Sequence, residues 1–204
     1  MKKKLIALFI CLLMFPMVAN ASTATMGLME VLTEEGIDTS SITYETSDNK
    51  PNVYLFRGKG CHNCHNLMSM LASIISEYGK YFNFVSYEIY NNKDNNNLMS
   101  KVSDFLGANA DGVPFLIIGD DYFVGYGTSL DEQIKEKLKS YYESEDRYDV
   151  FEAMEKAEND SNNQLNKVYK NTITWMIIVN VVVLGAVFIK TTKDKKEILA
   201  KLNK

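Results

Sequence analysis

Apolar and polar positions along this chain change rhythm from segment to segment, and each rhythm predicts a different element. Asn52 to Arg57, NVYLFR, is a β-branched and aromatic run with the pattern of a short buried strand. From Cys61 to Tyr78 the apolar residues Leu67, Met68, Leu71, Ile74 and Ile75 fall at helical spacing, and Gly79 stops the helix. Phe82 to Ile89, FNFVSYEI, alternates apolar and polar residues as a second strand. The asparagine-rich stretch Asn91 to Asn97 reads as a loop before an amphipathic helix from Leu98 to Leu106, closed by Gly107. Pro114 to Ile118 predicts a strand, Gly119-Asp120-Asp121 a hairpin turn, and Tyr122 to Gly125 the return strand. Turn chemistry explains the two aspartates better than a metal site does. Ser129 is the expected cap of a last helix reaching about Tyr142, with Leu130, Ile134 and Leu138 on one face. Residues 22–50 offer a short helix, Met26 to Thr33, and then a Ser/Thr-rich extension with no legible role.

The order β-α-β-α-β-β-α predicts a small α/β layered domain over residues 51–142. Two apolar runs lie outside it. Met1 to Ala21 has a basic start (Lys2, Lys3, Lys4), a short apolar run from Leu5 to Val18, and an A-x-A cleavage site at Ala19-Asn20-Ala21. That is the pattern of a secretory signal peptide. Thr172 to Ile189 is about long enough to cross a hydrocarbon core of roughly 30 Å. Trp175 stands near its first end and Lys190, Lys193, Lys195 and Lys196 follow its second. By the positive-inside rule, the tail 190–204 is cytoplasmic and the folded domain is extracytoplasmic, giving a single-pass protein of the cell membrane. Residues 143–171, polar and acidic, read as a stalk between domain and bilayer.

Charge supports that division. Residues 22–171 carry 13 Lys and Arg against 24 Asp and Glu, a balance of −11, whereas 172–204 carry six Lys against two acids. So acidic an ectodomain argues against nucleic acid as a partner, because phosphate binding needs a basic patch.

The three cysteines sharpen the question. Cys11 leaves with the signal peptide, so the mature chain keeps Cys61 and Cys64 alone. A pair three residues apart closes almost no loop, so stapling does not account for it. The surrounding stretch, Gly58-Lys59-Gly60-Cys61-His62-Asn63-Cys64-His65, fits three chemistries: a dithiol/disulfide centre, a c-type haem attachment with His65 as axial ligand, or half of a zinc site. Zinc fails on ligand number, since four ligands cannot converge from one helical turn and no other Cys or His remains. The haem reading needs a crevice that a βαβ layout with a following hairpin does not evidently provide.

The strand NVYLFR, the Cys61-His62-Asn63-Cys64 motif opening a helix, and Val113-Pro114 directly before a hairpin about fifty residues later together resemble the thioredoxin-like superfamily. The resemblance covers roughly residues 50–142. It implies a thioredoxin-like fold and a protein-disulfide oxidoreductase with no cofactor beyond the redox-active disulfide Cys61–Cys64. Cys61 would attack a substrate disulfide and Cys64 would resolve the mixed disulfide. At the start of a helix, unpaired N–H groups and the helix dipole favour the Cys61 thiolate, lowering its pKa from about 8.5 toward the range of roughly 3.5–7.5. His62 and Asn63 would set the redox poise, and Lys59 and Arg57 would push toward the thiolate if they face the site. Pro114 would be cis, with Val113 offering its backbone to an extended substrate segment. His65 reads as a half-exposed helix residue that packs or caps.

The expected partners are protein thiols and disulfides outside the cytoplasm, a membrane or soluble redox partner that recycles the pair, and the lipid bilayer. Two positions depart from the family pattern. A buried acid common in relatives six residues before the first cysteine is Leu55 here, and the aromatic residue just before that cysteine is Gly60. A non-catalytic membrane accessory protein on the same scaffold is the other reading.

Overall fold

The computed structural model describes residues 24–202, so the signal-peptide reading of 1–21 and Cys11 lie outside the described residues. The chain divides into two units, one ending at Val150 and the other beginning at Phe151.

The first unit is built on a five-stranded sheet: β1 (Thr25–Met26), β2 (Asn52–Arg57), β3 (Asn83–Glu88), β4 (Phe115–Ile118) and β5 (Asp121–Val124), in the spatial order β1-β3-β2-β4-β5. The helices are α1 (Leu28–Glu34), α2 (His62–Tyr78), α3 (Lys93–Leu106) and α4 (Asp131–Glu143), the last preceded by a 3-10 turn, Thr128–Leu130. β2 and β3 are parallel, as strands joined through a crossover helix are, and Leu55 lies opposite Ser86. β4 runs antiparallel to β2, and β5 antiparallel to β4.

The period of two along each strand sorts the core into two faces. Val53 and Leu55 of β2, Phe84 of β3, and Leu116 and Ile118 of β4 join one cluster with Leu28, Val31 and Leu32 of α1, Leu67, Met68 and Leu71 of α2, and Ile134 and Leu138 of α4. The intervening positions, Phe56, Tyr87 and Phe115, carry an aromatic stack on the opposite face: the Phe56 ring lies 4.9 Å from that of Tyr87 and 5.9 Å from that of Phe115. α3 packs against β3 and buries Met99 and Val102.

Three sequence expectations are corrected. Met26, read as the first residue of a helix, belongs instead to β1, paired antiparallel with β3, and the helix begins at Leu28. α3 begins at Lys93, inside the asparagine run read as a loop. The Asn92 side chain accepts the N–H groups of Asp94 at 3.0 Å and Asn95 at 3.1 Å, so an asparagine caps the helix there. Ser129 does not cap α4; it lies in the 3-10 turn, whose backbone leads straight into the helix.

The second unit is helical. α5 spans Val150–Leu202 and contains the whole apolar run Thr172–Ile189. It is the one helix among the described residues long and apolar enough to cross a membrane, with large apolar side chains such as Trp175, Ile177 and Val182 exposed along it. Asn180, its strongly polar residue, donates its side-chain N–H to the Met176 carbonyl at 2.7 Å, which satisfies part of that amide within the helix itself.

Candidate active site

Gly58 to Gly60 carry the chain from the end of β2 to the start of α2. Gly60 has φ of +78°, a left-handed conformation that favours glycine, and it turns the backbone into the helix. Gly58 meets a different constraint. A β-carbon there would lie 2.2 Å from the Tyr90 ring, so only a glycine lets that ring lie over the loop.

Cys61 is the N-cap of α2, and its Sγ accepts the Cys64 N–H at 3.2 Å. Cys61 and Cys64 are joined as a disulfide, with α-carbons 5.2 Å apart. The two sulfurs differ in environment: Cys61 is part-exposed at the helix tip, and Cys64 is fully buried one turn in. The Val113–Pro114 peptide bond is cis. It lies against the disulfide, with Cys61 Sγ 3.7 Å from the Val113 carbonyl oxygen. Beside it is a cavity of about 280 Å³ lined by Ile89, Tyr90, Met99, Ala110, Gly112 and Val113, among others.

The remaining residues singled out in the sequence fall around this pair. His62 and Asn63 are exposed on the first turn, and His62 Nε2 lies 3.2 Å from the Asn66 side-chain nitrogen. Leu55 is buried in the apolar cluster. Asp120 and Asp121 both pair with Lys137, at 3.1 and 2.6 Å; Asp120 lies in the turn as expected, whereas Asp121 is already the first residue of β5, opposite Ile118. Among the described residues no group of three or more Cys, His, Asp or Glu is placed to hold a metal ion.

Sequence reasoning missed the acidic residues of the site. Arg57 is fully buried at the end of β2. Its Nε donates to Ser86 Oγ at 3.0 Å, its Nη2 pairs with Glu34, and its Nη1 lies 3.6 Å from Glu35. Glu35 also faces His65, with Oε2 3.3 Å from Nδ1, and Glu34 faces Lys59 at 3.2 Å. Burial pushes the Glu34 carboxyl up, but Arg57 and Lys59 outweigh it and hold the group below its ordinary value. Glu88 accepts the backbone N–H groups of Lys59, Tyr90 and Asn91. A signal was available. An arginine ending an otherwise apolar strand needs a buried counter-ion, and Glu34-Glu35 directly follows the apolar helix that carries Leu28, Val31 and Leu32.

No protein-family model, no curated protein and no solved structure matches this chain.

Proposed function

We propose that this protein is a membrane-anchored thiol–disulfide oxidoreductase of thioredoxin-like fold, acting outside the cytoplasm through Cys61 and Cys64. The observation that carries the reading is the asymmetric pair: a part-exposed sulfur at a helix N-terminus bonded to a fully buried one a turn later, beside the Val113 carbonyl. The strand order β1-β3-β2-β4-β5, with a crossover helix after β2 and a hairpin after Pro114, supports the fold assignment.

In this reading the Cys61 thiolate attacks a substrate disulfide, forming a Cys61–substrate bond and releasing one substrate thiolate. Cys64 then gives up its proton and attacks Cys61 Sγ. The Cys61–Cys64 bond re-forms, and the second substrate sulfur leaves as a thiolate and is protonated. Two electrons pass to the substrate. The reverse sequence donates a disulfide instead. The helix N-terminus favours the attacking thiolate, and burial keeps the resolving thiol protonated until it is needed. Val113 and the cavity beside Tyr90 and Met99 would hold an extended substrate segment on the exposed side of Cys61. A redox partner, in the membrane or soluble, would recycle the pair. The apolar run of α5 would anchor the chain in the bilayer, with the lysine-rich tail cytoplasmic.

The test is redox titration of the full-length chain in detergent against dithiothreitol and glutathione buffers. A reversible two-electron transition of Cys61–Cys64 supports the reading. A potential near roughly −270 mV indicates a reductase and one near roughly −120 mV an oxidase. A pair that does not titrate reversibly overturns it, and Soret absorbance of the purified chain would then favour the haem alternative.

A further inference from the structure

The two glutamates at the end of α1 play no part in the exchange chemistry as described, yet they link Lys59, Arg57 and His65 into one continuous chain of polar contacts. Lys59 Nζ lies 3.2 Å from Glu34 Oε1, and the other oxygen of Glu34 pairs with Arg57 Nη2. Arg57 Nη1 lies 3.6 Å from Glu35 Oε1, and Glu35 Oε2 lies 3.3 Å from His65 Nδ1. The ends of the chain bracket the motif, since Lys59 stands two residues before Cys61 and His65 directly follows Cys64. Its centre is the fully buried Arg57 guanidinium, whose charge water does not screen. Glu88 completes the surroundings, accepting the Lys59 backbone N–H at 3.1 Å.

Without carboxylates from α1, the segment leading to Cys61 would carry two uncompensated cations, Lys59 two residues and the buried Arg57 four residues before the sulfur that ionises on reduction. Cations near a thiolate stabilise it, and only the reduced protein has a thiolate to stabilise. Neutralising those cations therefore disfavours the reduced state. Of the two acids, Glu34 is the one that holds both Lys59 and Arg57.

We propose that Glu34 is a positioning residue of the redox site, acting through Lys59 and Arg57 to hold the Cys61–Cys64 disulfide at a more reducing poise than the Cys61 loop would have alone. The proposal rests on the oxidoreductase reading. The relevant equilibrium is the disulfide plus two glutathione thiols giving the dithiol plus glutathione disulfide, with both electrons taken from glutathione.

The experiment measures that equilibrium constant for the full-length chain in detergent, by acid quench, alkylation and mass spectrometry. Glu34→Gln is expected to raise the constant about three- to tenfold, tenfold being about 30 mV for a two-electron couple. Lys59→Met is expected to lower it by about two- to threefold, a smaller effect because the lysine side chain is 64% exposed and screened. If Glu34→Gln fails to fold because Arg57 loses its partner, Lys59→Met decides alone, since a surface lysine can be replaced without loss of the fold. Constants unchanged in the folded variants, or moved in the opposite directions, overturn the proposal and leave Glu34 a purely structural partner of Arg57. A wild-type pair that does not titrate at all overturns the oxidoreductase reading instead, so the two failures are distinguishable.

Discussion

Glu88, the last residue of β3, accepts the backbone N–H of Lys59, two residues before Cys61, at 3.1 Å. The same carboxylate accepts the N–H groups of Tyr90 and Asn91, both at 2.9 Å, so one side chain ties the loop that delivers Cys61 to the loop that follows β3. Charge-assisted bonds of this kind contribute roughly 1.5–3 kcal/mol each. Glu88→Ala is expected to cost about 2–3 kcal/mol in denaturant unfolding and to speed alkylation of reduced Cys61, because the loop before it loses its tether. Unchanged stability and unchanged alkylation would remove Glu88 from the account of the site.

Acid should weaken the same tether. Burial pushes the Glu88 carboxyl up, but the Asn91, Lys59 and Tyr90 N–H groups and the Arg57 charge outweigh it, so it ionises below its ordinary value of 4.5. Glu34 is depressed likewise. A depressed folded-state pKa contributes stability that is fully present above the unfolded value and is lost as pH falls through the folded one. Unfolding free energy is therefore expected to fall with pH below about 4.5, and Glu88→Gln should flatten that slope. An identical acid limb in wild type and variant would refute this.

Reduced Cys61 and Cys64 should differ sharply in reactivity. Part-exposed Cys61 is expected to react with iodoacetamide at least about tenfold faster than buried Cys64. Cys64→Ser should accumulate mixed disulfides with substrate proteins and Cys61→Ser should not, as seen on non-reducing gels. The opposite pattern would exchange the two roles.

Gly58 and Tyr90 should behave as a coupled pair. A β-carbon at position 58 overlaps the Tyr90 ring, and that ring is 60% exposed, so it can swing away at a cost. Gly58→Ala is expected to destabilise by about 1–2 kcal/mol, and most of that cost should vanish in a Tyr90→Ala background. Additive effects would show that the glycine is needed for its backbone alone.

Away from the site, the Tyr54 hydroxyl donates to Asp149 at 2.6 Å across 95 residues of sequence. Burial, and then Asp149, push the Tyr54 phenol well above its ordinary value. Tyr54→Phe is expected to cost about 1–3 kcal/mol, read from the denaturation midpoint at unchanged m-value. No shift in the midpoint would refute it.

The sequence disclosed those parts of the fold whose signals are local. The apolar runs of β2 and β4, the alternation in β3, the helical spacing of Leu67, Leu71 and Ile75, and the breaks at Gly79 and Gly107 depend only on near neighbours, and these elements stand within a residue or two of their expected bounds. What was not legible depends on distant partners. A two-residue strand at Thr25–Met26 has too little pattern of its own and exists because β3 offers Ser86 and Tyr87 to pair with. The asparagine run hid the start of α3 because asparagine serves both loops and helix caps. The cysteines were found because C-x-x-C is a spacing. Glu34 and Glu35 were missed because their meaning is set by Arg57 and His65, far along the chain.

The short pairing of β1 with β3 has a further consequence. β3 would otherwise be an outer strand of the sheet, with one side of its backbone open to another chain, and exposed edges of that kind promote association between molecules. Met26 and Thr25 occupy that side opposite Ser86 and Tyr87. Loss of this segment would therefore show itself first as self-association, with the cysteines still in place and the rest of the sheet intact.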